Sequence, residues 1–285
     1  MGCWSVYSQE GDAGVAGGEE EMTFEKYVAG FEWQTDGIGD LGKEAEIEIP
    51  AGFHFNSGGD AKAFLEGLGN LVGNPPNGLI GPADLDWFVV LWYEDSGHVK
   101  DDEKDELDAD ALFKEMKENE KYSNEMRRER GMDTLTFTGW AREPFYNDQT
   151  NNLEWGRYLE AGSGGTSVNY STKLLGREGL MDVTLVCAPE QMDEVLPMYQ
   201  DMLLGFRYKP GNTYAEFQDG DKLAEYGLTG LIVGGGAVVA GKLGLFAVLG
   251  KFFAKAWKMI VIGLIAVVAF LKKLFGGPKS GYTQQ

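Results

Sequence analysis

Seven carboxylates fall within fifteen residues, His98 to Leu112, in the run HVKDDEKDELDADAL. Carboxylates at that density could bind calcium, which takes about six to eight oxygen ligands. An EF-hand loop needs glycine at its sixth position and glutamate at its twelfth. Counted from Asp101, those positions hold Glu106 and Leu112. Counts from Asp102, Asp105 or Asp108 place Lys104, Leu107 or Leu112 where early ligands belong. No frame fits. Ala109, Leu112, Phe113 and Met116 recur at helical spacing, and Arg127, Arg128 and Arg130 gather before Gly131. Acids first, arginines last and a closing glycine complement a helix dipole and its capping needs. The acidic run is therefore expected to be the solvated start of a helix rather than a metal site.

Other chemistry-bearing residues are sparse. Two histidines, His54 and His98, and two cysteines, Cys3 and Cys187, show no zinc-ligand spacing. Cys187 lies in the apolar run MDVTLVCAP and reads as a buried thiol. Ser167 and Ser171 have no neighbouring histidine, and GGDAKAFLEG lacks the Lys-Ser/Thr ending of a phosphate-binding loop. No catalytic residue, metal or cofactor is assigned. GWAREPFYN and NNLEWGRYLE do place Arg142, Glu143, Tyr146, Glu154, Arg157 and Tyr158 on neighbouring strands. Arg142, Glu143, Glu154 and Arg157 are the candidate ligand-binding residues, as a polar pocket for a small molecule. Ion pairs on a solvated sheet face are the plainer alternative.

The elements that would carry these residues follow from periodicity. A short helix is expected over Met22 to Phe31, a half-buried strand over Glu44 to Ile49, and a helix burying Ala61, Phe64, Leu65 and Leu68. LVGNPPNGLIGP reads as a turn-rich connection, and DWFVVLWYE as a strand apolar on both faces. Four close-spaced strands follow, Asp133 to Ala141, Asn151 to Ala161, Thr166 to Leu175 and Leu180 to Ala188. Such spacing implies an antiparallel meander. A helix containing Pro197 then turns Met192, Val195, Leu196, Tyr199, Met202 and Leu203 inward. The fold class is α+β, an antiparallel sheet with helices packed on it.

Charge divides the chain near residue 226. All 45 Asp and Glu precede Gly227, against 18 of the 25 Lys and Arg; seven Lys follow it. The acidic part would repel phosphates, so nucleic acid is not expected as a partner. Residues 1–21 read as a disordered segment or a signal-peptide remnant, with Val6-Tyr7-Ser8 resembling a cleavage site. Residues 22–226 form the acidic domain, 227–276 the membrane anchor and 277–285 a short polar tail.

The anchor is expected to hold one transmembrane helix or a hairpin of two. Met259 to Leu271 is apolar but shorter than the roughly 20 residues of a straight span. Extension back through Phe252 encloses Lys255 and Lys258, which can snorkel. Gly230, Gly234, Gly235 and Gly236 offer small surfaces for helix association in lipid. Lys242 either snorkels or faces an aqueous lumen, which leaves a homo-oligomeric ring or pore open.

The runs DWFVVLWYEDSGHVKDDEKDELDADAL, NNLEWGRY, SVNYSTKLLGREGLMDVTLV and GNTYAEFQDGDKLAEYGLTGL closely resemble a bacterial membrane-anchored family. That family is catalogued as domain of unknown function 2167. The likeness spans roughly residues 22–276 and implies an envelope protein, usually with an N-terminal signal sequence and a C-terminal hydrophobic anchor. The expected location is the bacterial inner membrane with the acidic domain in the periplasm, the number of spans and their orientation being left open. It transfers no catalytic residue. The order of elements also loosely resembles PsbP-type domains, an analogy of fold. The expected function is a non-catalytic binding or scaffolding module whose partners are the lipid bilayer and either itself or another envelope protein. An envelope enzyme built around Glu154 and Arg157, and the pore, are the alternatives.

Overall fold

The computed structural model describes residues 23–234. Its centre is a seven-stranded antiparallel sheet in the order β3-β4-β5-β9-β8-β7-β6. The strands are β3 (Phe53–Asn56), β4 (Gly78–Pro82), β5 (Phe88–Glu94), β6 (Leu135–Asn147), β7 (Asn152–Ala161), β8 (Thr166–Leu175) and β9 (Leu180–Cys187). A second sheet of three short strands runs β1 (Ile38–Asp40), β2 (Ala45–Glu48), β10 (Phe206–Tyr208). The expected meander is present: β6 to β9 pair consecutively and antiparallel. β4 replaces the turn-rich connection expected there. Its glycines misled the reading because they answer to packing. A Cβ on Gly78 would lie 2.5 Å from Leu41 Cδ2, and one on Gly81 2.6 Å from the Trp87 carbonyl oxygen.

Alternation along β5, β8 and β9 sorts side chains onto two faces. One face packs Val89, Leu91, Val168, Tyr170, Val183 and Leu185 against β2 and against α4 (Met192–Leu203), which contributes Val195, Tyr199 and Met202. The opposite face is covered at its two ends. Over β4 and β5 lie α1 (Phe24–Val28) and α2 (Gly58–Gly67), with Val28, Ala61, Phe64 and Leu65 meeting Leu79, Phe88 and Val90. Over β6 and β7 lies α3 (Ala109–Glu129), where Leu112 and Met116 meet Phe137, Leu153, Trp155 and Leu159.

The opening acids find ordinary work. Asp108 caps α3 by accepting from the Asp110 and Ala111 amides, and Gly131 closes the helix with a positive φ of 67°. Glu103 accepts from the Thr229 amide at the start of α5 (Leu228–Val233), and Asp101 accepts from the Tyr146 hydroxyl. Among the described residues no group of acids and histidines is arranged to hold a metal ion.

α3 also seals the outer edge of β6. The Asn124 side chain donates to the Leu135 carbonyl and accepts from the Leu135 amide, both at 2.8 Å, while Glu120 accepts from the Phe137 amide at 2.6 Å. Side chains of a helix thus stand in for the missing neighbouring strand.

α5 occupies the start of the expected anchor. Leu228, Leu231, Ile232 and Val233 are buried in the core beneath α3, and Asn119 donates to the Val233 carbonyl. The acidic domain therefore continues to Gly234, past the charge boundary at 226, because apolar residues serve this core as well as they would lipid. Gly230 packs on Tyr226, where a Cβ would stand 2.8 Å from the tyrosine Cβ. Gly235, Gly236, Lys242 and the rest of the expected spans lie outside the described residues. Among the described residues no helix is long and apolar enough to cross a membrane.

Candidate functional site: a buried polar seam

Register on the α2/α3 face assembles three cross-strand rows. Trp92, Asp182, Lys173 and Leu153 stand side by side on β5, β9, β8 and β7. The next row is Val90, Thr184, Ser171 and Trp155, and the third is Phe88, Val186, Asn169 and Arg157. Trp92, Val90, Phe88 and Val186 belong to the core under α2, Leu153 and Trp155 to the core under α3, and the residues between, with Arg157, are polar. A seam of Asp182, Thr184, Lys173, Ser171, Asn169 and Arg157 thus runs between the two helix-covered strips.

The seam is shielded from water except at Asp182, whose side chain is 19% exposed. Lys173 is fully buried, Asn169, Ser171 and Thr184 are buried, and Arg157 is 9% exposed. Lys173 Nζ lies 2.6 Å from Asp182 Oδ2 and 5.7 Å from the centre of the Trp155 ring. At that distance the carboxylate matches the lysine charge. Trp155 Nε1, Arg157 Nε and Asp182 Oδ1 are buried without a hydrogen-bond partner among the described residues. Buried polar atoms are almost always satisfied, and each exception calls for a physical reason. Two unsatisfied donors on alternate residues of β7, Trp155 Nε1 and Arg157 Nε, call for one shared reason.

The sequence-derived pocket divides here. Residues 154 and 157 are three apart on β7, an odd separation, so their side chains leave opposite faces of the sheet. Arg157 joins the seam. Glu154 lies among the α4-side residues, where Tyr170 donates to its Oε2 at 2.7 Å. Burial raises the Glu154 carboxyl above the usual range, and the Tyr170 bond and the Arg142 charge only partly offset it. Arg142 is exposed, its guanidinium 4.5 Å from the centre of the Phe145 ring, and Glu143 is exposed nearby. The enzyme arrangement needing Glu154 beside Arg157 is not formed.

His98 is stacked between Tyr214 at 4.5 Å and Phe217 at 4.1 Å. Burial lowers its basicity, outweighing the pull of Asp101 and Asp221. Cys187 is buried and free, its thiol pushed up to about 12 by desolvation, which makes it inert at neutral pH.

Lys173 and Asn169 were missed, and Ser171 was weighed only as a nucleophile, because the polar residues of SVNYSTK suit a strand with one solvated face. The available signal was that β8 is flanked on both sides by strands of the same meander, with tryptophans at Trp92 and Trp155.

An α+β domain with an antiparallel sheet and a polar seam beneath its helices is the class these observations define. Residues 34–266 match the family model described as protein of unknown function (DUF2167), and the chain belongs to that family. No curated protein matches it. Among solved structures it is similar to cyanobacterial PsbP (CyanoP) from Synechocystis sp. PCC 6803. The identity is 14%, over 70% of this chain and 100% of that one, with a TM-score of 0.38.

Proposed function

We propose that this protein is a non-catalytic binding module held at a membrane by its C-terminal tail, and that the polar seam is its recognition site. The observation that carries this reading is the pair of buried donors, Trp155 Nε1 and Arg157 Nε, without a hydrogen-bond acceptor among the described residues. Donors withheld from water cost stability unless something accepts from them, and a bound molecule would. Catalysis finds less support, since Lys173 Nζ hydrogen-bonds to neither Ser171 nor Thr184. Residues 235–276 contain no Asp or Glu and are rich in Val, Ile, Leu and Phe, which suits insertion into a bilayer. A bacterial inner-membrane location with the acidic domain in the periplasm accords with that tail. Gly234, Gly235 and Gly236 would let tails pack together, so self-association or capture of another envelope protein is the proposed consequence.

The test is native mass spectrometry of the full chain, extracted in mild detergent from its own membranes. A companion polypeptide or small molecule in fixed ratio, lost from Arg157→Met, is the expected result. A bare monomer found in the soluble fraction would refute both the anchor and the binding role.

A further inference from the structure

The seam's chemistry narrows what it would hold. Trp155 Nε1 and the Arg157 guanidinium can donate hydrogen bonds and cannot accept them, so the group that meets them is an acceptor. They project from alternate residues of β7 on one face, about 7 Å apart along the strand. A single group can therefore be reached by both of these long side chains. Charge adds a second condition. Lys173 is matched by Asp182 at 2.6 Å, which leaves Arg157 as the seam's excess charge. A buried guanidinium is costly without a counter-charge, and one negative charge supplies it. A planar two-oxygen anion also matches the side-on fork of Nε and its neighbouring nitrogen.

Resting on the reading of the seam as a binding site, we infer that it takes a small organic carboxylate. The carboxylate sits against Arg157 and Trp155 Nε1. A dianionic phosphate would overbalance the single excess charge, and a neutral amide would leave the guanidinium unmatched.

The probe is benzoate, with benzamide as its uncharged counterpart, added to the full-length ¹⁵N-labelled protein in detergent micelles. The readout is the indole N–H signal of Trp155, assigned by its loss in Trp155→Phe. Benzoate is expected to shift that signal saturably. Arg157→Met should weaken the response by about tenfold or more, while Glu154→Gln, on the opposite face, leaves it unchanged. Arg157→Lys keeps the charge without the fork and should fall between. Unmoved signals from the other tryptophans establish that each variant is folded. An equal shift from benzamide would overturn the carboxylate assignment and leave the binding-module reading standing. No saturable shift from either probe would also overturn it, and the native-mass experiment then judges the module separately.

Discussion

The Lys173–Asp182 pair offers a sharp test of the buried seam, because its two members are buried to different depths. The Lys173 side chain is fully buried, whereas Asp182 is 19% exposed. Removing one partner of a buried ion pair costs about 3–5 kcal/mol, most of it from the stranded charge. Lys173→Met strands a carboxylate that water can partly reach, so a loss near 3 kcal/mol is expected. Asp182→Asn strands an ammonium that water cannot reach, so a loss nearer 5 kcal/mol is expected. The double variant Lys173→Met/Asp182→Leu strands neither and should return to within about 1 kcal/mol of the wild type, or exceed it. Urea unfolding of the full chain in a fixed detergent, followed by tryptophan fluorescence, gives all three values and their coupling. If both single variants lose less than about 1 kcal/mol, the pair behaves as a solvated surface bridge, and the reading of the seam as a dry site fails.

Three further outcomes follow from particular contacts. Asn124→Ala leaves the Leu135 amide and carbonyl unpaired at the β6 edge and should cost roughly 2–4 kcal/mol in the same assay. Protonation of His98 is disfavoured in the native state, so the unfolded chain binds more protons once pH drops below about 6.5. Stability should therefore fall as pH falls through the lowered native value. His98→Phe should flatten that part of a melting-temperature profile. Glu154 has the opposite sign: its raised native value means that its contribution is present at acid pH and lost as pH rises through that value. Glu154→Gln should therefore melt higher than wild type at pH 7, with the gap closing toward pH 4.

What was legible in the sequence followed from regular periodicity. The β6–β9 meander, α3 with its acidic start and arginine end, and the inward stripe of α4 all carry a long pattern whose period matches the element. β4 was hidden because Gly78, Gly81 and Pro82 read as turn residues, whereas two of them make room for Leu41 and Trp87. α5 was hidden inside an apolar tail, since Leu228, Leu231 and Ile232 would suit lipid as well as they suit the core beneath α3. The candidate site was half legible. Arg157 was named, but pairing it with Glu154 overlooked that an odd separation along a strand changes faces. The buried polar row on β8 could not be read locally, because alternation reveals which residues share a face and not what covers it.

The central claim is that Trp155 Nε1 and Arg157 Nε are kept for an acceptor outside the chain. A crystal structure of the full-length protein purified from its own membranes, at a resolution that shows ordered solvent, tests this most directly. Density for a non-protein oxyanion within about 3 Å of both donors is the expected result. Both donors bonded to this chain's own side chains, or to ordered water alone, would contradict it.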